Sequence, residues 1–128
     1  TMPECFVILA KPQASVSTAW AYQNFKADNV EEWPDTDAVI AALKNGDLEG
    51  ICKHLCNVLE SVTIPAHNEI AHLKRLMCKH GALASLMSGS GPTVFGLVDD
   101  EEKAEYIVEK LSDIDNVQVI LTKTVSEN

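Results

Sequence analysis

Two short apolar runs, Ala82-Leu83-Ala84-Ser85-Leu86-Met87 and Thr93-Val94-Phe95-Gly96-Leu97-Val98, are separated only by Ser88-Gly89-Ser90-Gly91-Pro92. Each run has strand length, so the chain is expected to turn back on itself here as a hairpin. Pro92 is tolerated at the first position of the second strand. Two glycines around one serine let the backbone take positive φ and let another molecule come close, because no Cβ stands in the way. Successive free N–H groups in such a turn also form an anion-accepting concavity. On spacing alone the turn reads first as an ordinary hairpin loop. If Gly91 does take positive φ, Gly91→Ala is expected to disturb it.

The rest of the chain is organised around that pair. Cys5-Phe6-Val7-Ile8-Leu9-Ala10 is a continuous apolar run, read as a strand buried on both faces and ended by Lys11-Pro12. Ser15 or Ser17 can cap a short helix running to about Lys26. Trp20, Tyr22 and Phe25 spread around that helix, so one aromatic is expected to face something other than the core. Residues 28–35 form a polar surface connection. Asp35 or Thr36 caps a helix carrying Val39, Ala42 and Leu43, stopped by Asn45-Gly46. Asp47 starts the next, with Leu48, Ile51, Cys52, Leu55, Val58 and Leu59 at helical spacing. Pro65 fits the first turn of another, whose stripe is Ala66, Ile70, Leu73 and Met77 and whose end is Gly81. After the hairpin, Asp99 or Asp100 caps a helix with Ala104, Ile107, Val108 and Leu111. Val117, Val119 and Leu121 then alternate with polar residues, as on a half-exposed edge strand, with Ile120 the exception. Residues 126–128 are expected to fray.

The order is strand, helices, strand, loop, strand, helix, strand. It predicts an α+β fold: a ferredoxin-like split βαβ sheet of four strands with extra helices in the first crossover. The first strand should be central and the last an edge. At 128 residues this is one domain, spanning 1–128.

Charge narrows the function. Nineteen acidic residues against ten basic give a net charge of −9, which argues against nucleic acid or an anionic membrane as partner. No leader pattern precedes the first strand, and Cys5, Cys52 and Cys78 each fall within an apolar pattern, so a cytoplasmic protein with reduced core thiols is expected. Cys52-Lys53-His54-Leu55-Cys56 and Cys78-Lys79-His80 invite a zinc reading. Cys52 belongs to an apolar stripe, however, and structural zinc sites usually draw paired ligands from turns, so no metal is expected. His67 and His72, five apart, do not share a helix face and are read as solvated. Asp99-Asp100-Glu101-Glu102 is explained by a helix N-terminus, which favours acids.

Leu86-Met87-Ser88-Gly89-Ser90-Gly91-Pro92-Thr93-Val94-Phe95-Gly96 resembles the glycine-rich motif in the C-terminal domain of the GHMP kinases, the superfamily of galactokinase, homoserine kinase and mevalonate kinase. Leu9-Ala10-Lys11-Pro12 with Val16-Ser17-Thr18-Ala19, then Asn45-Gly46-Asp47 with Asn57-Val58-Leu59-Glu60, extend the likeness over residues 5–122. Together they resemble the bacterial branch that phosphorylates the C2 hydroxyl of a cytidylylated methylerythritol in non-mevalonate isoprenoid precursor biosynthesis. The resemblance implies an ATP-dependent small-molecule kinase using ATP and Mg²⁺. Such kinases have about twice this length, and their Gly-Gly-Gly-Ser-Ser type loop and catalytic Lys and Asp have no counterpart here. The expected partner is therefore an N-terminal ATP-binding domain of the same polypeptide. This chain alone is expected to hold no catalytic residue, to bind no cofactor and to be inactive.

By the same resemblance Ser88, Gly89, Ser90, Gly91 and Pro92 form a loop beside the reacting phosphoryl group. An aromatic that stacks on cytosine falls at Tyr22, with Thr18 and Ala19 on the adjoining pocket. Read without the resemblance, Tyr22 is a half-buried core aromatic. Asn57 and Glu60 could line the cleft or make structural hydrogen bonds, and they are not counted among the site residues. The alternatives are another GHMP small-molecule kinase, or a stand-alone ferredoxin-like ligand-binding or regulatory domain.

Overall fold

The computed structural model describes residues 3–30 and 33–124. The expectations for residues 1–2, 31–32 and 126–128 lie outside them. Among the described residues the chain forms β1 (Phe6–Pro12), α1 (Thr18–Asn24), α2 (Thr36–Lys44), α3 (Leu48–His54), α4 (Glu60–Ala66), α5 (Asn68–Lys79), β2 (Ala84–Met87), β3 (Val94–Val98), α6 (Glu101–Ser112) and β4 (Val117–Lys123), with a single 3-10 turn at Ala27–Asn29. None of these helices is long and apolar enough to cross a membrane.

The strands make one antiparallel sheet in the order β2-β3-β1-β4. This is the predicted split βαβ arrangement, with β1 inside and β4 at an edge. Ile8 lies opposite Gly96 on one side and Leu121 on the other; Ala10 lies opposite Val94 and Val119. Side chains alternate across the sheet, so these residues share a face. Helices α5 and α6 cover it through Ile70, Leu73 and Met77 and through Ala104, Ile107 and Leu111, all buried. Each large side chain so buried contributes roughly 1.5–3 kcal/mol. Gly96 lets α5 sit close, since a Cβ there would stand 2.8 Å from Met77 Sδ.

The other face carries Val7, Phe95 and Leu97, and it is covered by the helical insertion. Cys52 of α3 packs there with Cys5 and Leu97, flanked by Leu48 and Leu55. That second layer explains the unbroken apolar run in β1. The cover stops short of the outer strand. Ile120 is exposed as expected, and Leu121, expected inward, is exposed too.

Caps follow the sequence closely. Ser17, Asp35, Asp47 and Asp100 each accept a backbone N–H in the first turn of the helix they precede. Three expectations are corrected. The helix begun at Asp47 does not run on through Leu59. It ends at His54, Leu55 takes extended geometry with ψ 137°, and α4 begins separately at Glu60. Pro65 does not open a helix. It sits in the last turn of α4, where only Ala66 follows, so its missing N–H interrupts little. Nor is His67 freely solvated: it is half-buried at the α4–α5 junction, 3.4 Å from Glu69.

Burial pushes the Cys52 thiol up to about 11, with Cys5, Asp99 and Glu49 adding to the effect. Burial also raises Cys5, against an opposing hydrogen bond from Thr124. Folding thus favours the neutral thiols. Their contribution is whole below the ordinary value near 9 and is lost as pH climbs towards about 11. The urea midpoint should therefore fall across that range, and fall less steeply in Cys52→Ala; equal slopes would rule out the Cys52 contribution.

Candidate functional site

The Ser88–Pro92 stretch joins β2 to β3 as a tight turn. Gly89 and Gly91 have φ of +56° and +89°, and the Gly91–Pro92 peptide is cis. Inside the turn, Ser88 N–H donates to Thr93 O at 2.8 Å and Gly91 N–H donates to Ser88 O at 3.0 Å. The two glycines serve different ends. A Cβ on Gly89 would meet nothing within 4 Å, so its backbone faces open space. A Cβ on Gly91 would lie 2.9 Å from Met87 Sδ and 3.1 Å from Thr63 Cγ2, so this backbone is packed against the core.

Side chains from the segment before and within α4 tie the loop down. Asn57 Nδ2 donates to Met87 O at 2.7 Å and to Gly89 O at 2.8 Å, and its Oδ1 accepts Leu59 N–H at 3.0 Å. Glu60 accepts Met87 N–H at 2.8 Å and pairs with Lys74 of α5. The buried Thr63 hydroxyl donates to Ser90 O at 2.9 Å. With these bonds made, the carbonyls of residues 87–90 are all engaged. The N–H groups of Gly89 and Ser90 find no partner among the described residues. An arrangement with carbonyls tied back and adjacent N–H groups left over suits an anion such as phosphate.

The loop also meets α1. Thr18 and Ser90, 72 residues apart, share a hydrogen bond of 3.1 Å between their hydroxyls. Ala19 is exposed in the first turn of α1. Tyr22, one turn on from Thr18, is 65% exposed, so it is not the half-buried core aromatic of the plain reading. It borders a cleft of about 500 Å³ whose other walls include Phe25, Val58, Leu86, Ser88, Gly89 and Phe95. An apolar cleft with a few polar groups at one end has the general form of a small-molecule site. The two stretches singled out from sequence thus meet at one place. The residues not counted there are Asn57 and Glu60, together with Thr63. For Asn57 and Glu60 the signal lies in Asn57-Val58-Leu59-Glu60, one of the family-like stretches, but helical spacing alone gives Asn57 no reason to turn towards the loop, and nothing in the sequence singles out Thr63.

The family model described as GHMP kinases C terminal matches residues 39–115, more than half of the chain. The chain belongs to the GHMP kinase C-terminal family. Similar relatives include 4-diphosphocytidyl-2-C-methyl-D-erythritol kinase of Bacillus licheniformis, 50% identical over 84% of this chain and 37% of that protein. The enzyme of the same name from Listeria innocua is 43% identical over 99% of this chain and 44% of that protein. The chain thus spans less than half the length of these relatives. Among solved structures, a 4-(cytidine 5'-diphospho)-2C-methyl-D-erythritol kinase superposes with a TM-score of 0.73 at 23% identity, over 93% of this chain and 43% of that one. Homoserine kinase from Cytophaga hutchinsonii superposes with 0.72 at 19%, over 98% and 44%. At such identities these likenesses speak for the GHMP fold.

No group of three or more His, Cys, Asp or Glu side chains converges among the described residues in a way that could hold a metal ion. Cys52 and Cys5 sit in the apolar layer with α3, whereas Cys78, expected in the core, is exposed on α5, and His72 is exposed.

The unequal glycines give a stability test. Gly89→Ala meets only the left-handed backbone cost, about 1–2 kcal/mol. Gly91→Ala adds overpacking of about 1–3 kcal/mol against Met87 and Thr63. Urea unfolding should rank Gly91→Ala as the more damaging, and the reverse order would refute this account of the loop.

Proposed function

We propose that this chain is the C-terminal, substrate-cleft half of an ATP-dependent kinase that phosphorylates the C2 hydroxyl of 4-diphosphocytidyl-2-C-methyl-D-erythritol, in non-mevalonate isoprenoid precursor biosynthesis. The observation that carries the reading is the hydrogen bond between Thr18 and Ser90, which joins an exposed-aromatic helix to a glycine loop at one cleft. The 50% identity to a relative of that name supports the substrate. In this reading Tyr22 stacks on the cytosine, Thr18 and Ala19 border the same pocket, and Ser88, Gly89, Ser90, Gly91 and Pro92 lie beside the transferred phosphoryl group.

The substrate oxygen attacks the γ-phosphorus, the bond to the β–γ bridging oxygen breaks, and ADP leaves. The hydroxyl proton passes to a base outside this chain. Such transfers depend chiefly on positioning and charge stabilisation. ATP fits the loop, because uncharged N–H donors can approach phosphate even in a chain of net charge −9. Mg²⁺ supplies charge neutralisation at the phosphates, and its ligands are assigned to an N-terminal ATP-binding domain of the same polypeptide. This chain by itself is expected to be inactive, and the whole protein to be cytoplasmic.

The test is a substrate panel on the full-length protein. Phosphorylation of the cytidylylated methylerythritol in preference to homoserine and mevalonate is expected. Preference for either of the others would replace the substrate, and no kinase activity at all would favour a stand-alone binding domain. In the same protein Tyr22→Ala should raise KM for the cytosine-bearing substrate roughly 5- to 150-fold, the equivalent of about 1–3 kcal/mol of base stacking. An unchanged KM would remove Tyr22 from the pocket.

A further inference from the structure

We infer that Asn57 is a positioning residue for the glycine loop, acting through its side-chain amide donors. The inference deepens the kinase reading and rests on it for its catalytic consequence. Three observations bear on it. Asn57 stands in the break between α3 and α4, where Leu55 has left helical geometry. Its two Nδ2 hydrogens reach two different carbonyls, Met87 O and Gly89 O, on either side of Ser88. Its Oδ1 is held in turn by Leu59 N–H, which fixes the amide plane.

The geometry spans the turn at the point where the backbone changes hand. Met87 is the last residue of β2, and Gly89 is in the left-handed region. A single planar amide joining their carbonyls sets how sharply the chain bends between them. Glu60 fixes the same end of the turn from the other side by accepting Met87 N–H, and it is itself held by Lys74. Thr63 fixes the far end at Ser90 O. Asn57 is thus the first of three anchors at 57, 60 and 63 that engage loop backbone groups and leave the Gly89 and Ser90 N–H groups over. It touches no transferred group in this account.

The residue type is demanding. Aspartate keeps the size and the Oδ1 bond to Leu59 N–H, and it forms such an i to i+2 turn as asparagine does. It has no donor, however, and would set a carboxylate against two carbonyl oxygens. A purely structural role at the start of α4 would tolerate aspartate; a role through the loop would not.

The experiment uses the full-length protein with Asn57→Asp and Asn57→Ala. Both are expected to lower kcat on the order of 10- to 100-fold, as misplacement of a positioning element does, while KM for the cytosine-bearing substrate moves less than threefold. Amide hydrogen exchange gives a readout independent of turnover. Exchange at Met87, Ser88 and Gly91 should quicken at least tenfold in both variants, with the β1 and α6 amides unchanged. If Asn57→Asp behaves as the unsubstituted protein in exchange, the role is only the local turn closed by Leu59 N–H and the inference is overturned. If both variants lose protection throughout the sheet, Asn57 is a general stability residue and the inference is likewise overturned. If the unsubstituted protein shows no kinase activity, the kinase reading fails by itself, and the exchange comparison still decides what Asn57 does to the loop.

Discussion

Strand β1 is paired along both sides, to β3 through Phe6–Ala10 and to β4 through Phe6–Pro12, and the remaining architecture follows from that. A strand so placed offers no edge, and its continuous apolar run puts apolar side chains on both faces of the sheet, so both need cover. The ferredoxin-like plan supplies two helices, α5 and α6, and both lie on one face. The other face of Val7, Phe95 and Leu97 would stand bare without the additional helices between β1 and β2. The insertion therefore completes the second apolar layer by bringing Cys52 down onto Leu97. Having crossed that face, the chain must return to the opposite side for α5. The break between α3 and α4 makes this possible, and it carries Asn57 and Glu60 past the turn between β2 and β3.

The site is thus a by-product of the route the chain takes. A hairpin loop with two left-handed glycines would be free to adopt several shapes if its backbone groups faced water. Here Thr63, fully buried, donates its hydroxyl to Ser90 O. In apolar surroundings an unmet carbonyl costs about 1–3 kcal/mol, so the loop is held where that bond can form. The Thr18–Ser90 bond then transfers the fixed position to α1. A displacement of either wall of the cleft would stretch or break that bond.

Much of this was legible in the residues. The strand order follows from apolar runs and their spacing; Asp47 caps its helix as expected, and Ser17, Asp35 and Asp100 are the members of the offered pairs that cap, because capping is local chemistry. The Ser-Gly-Ser-Gly-Pro turn marked the loop, and the unstriped helix around Trp20 and Tyr22 marked an aromatic left facing outward. What failed was long range. The spacing of Leu48, Ile51, Cys52, Leu55, Val58 and Leu59 fits one continuous helix, yet the chain breaks it after His54 to make bonds with residues some thirty positions away. Periodicity counts which residues are apolar; it cannot weigh an Asn57 amide against two carbonyls it meets only after folding. Pro65 misled for the same reason, because its place late in α4 is set by where that helix must stop for α5 to begin.

The polarity of the loop bonds is the point at which fold and chemistry meet. Apart from Met87 N–H, which Glu60 accepts, side chains could have anchored this turn by its N–H groups, leaving carbonyls outward, and the result would have favoured a cation. Instead Asn57 and Thr63 donate to Met87, Gly89 and Ser90 carbonyls, and Gly91 N–H takes up Ser88 O. The donors left over belong to Gly89 and Ser90, and Gly89 has no Cβ to shield it. In a strongly acidic chain this sorting matters more than in a basic one. Lysines could draw phosphate to a surface from a distance, but adjacent N–H dipoles act only at contact, on a group already oriented. A loop of this kind acts on an anion only once it is in place, which suits the phosphoryl transfer proposed for the full-length protein.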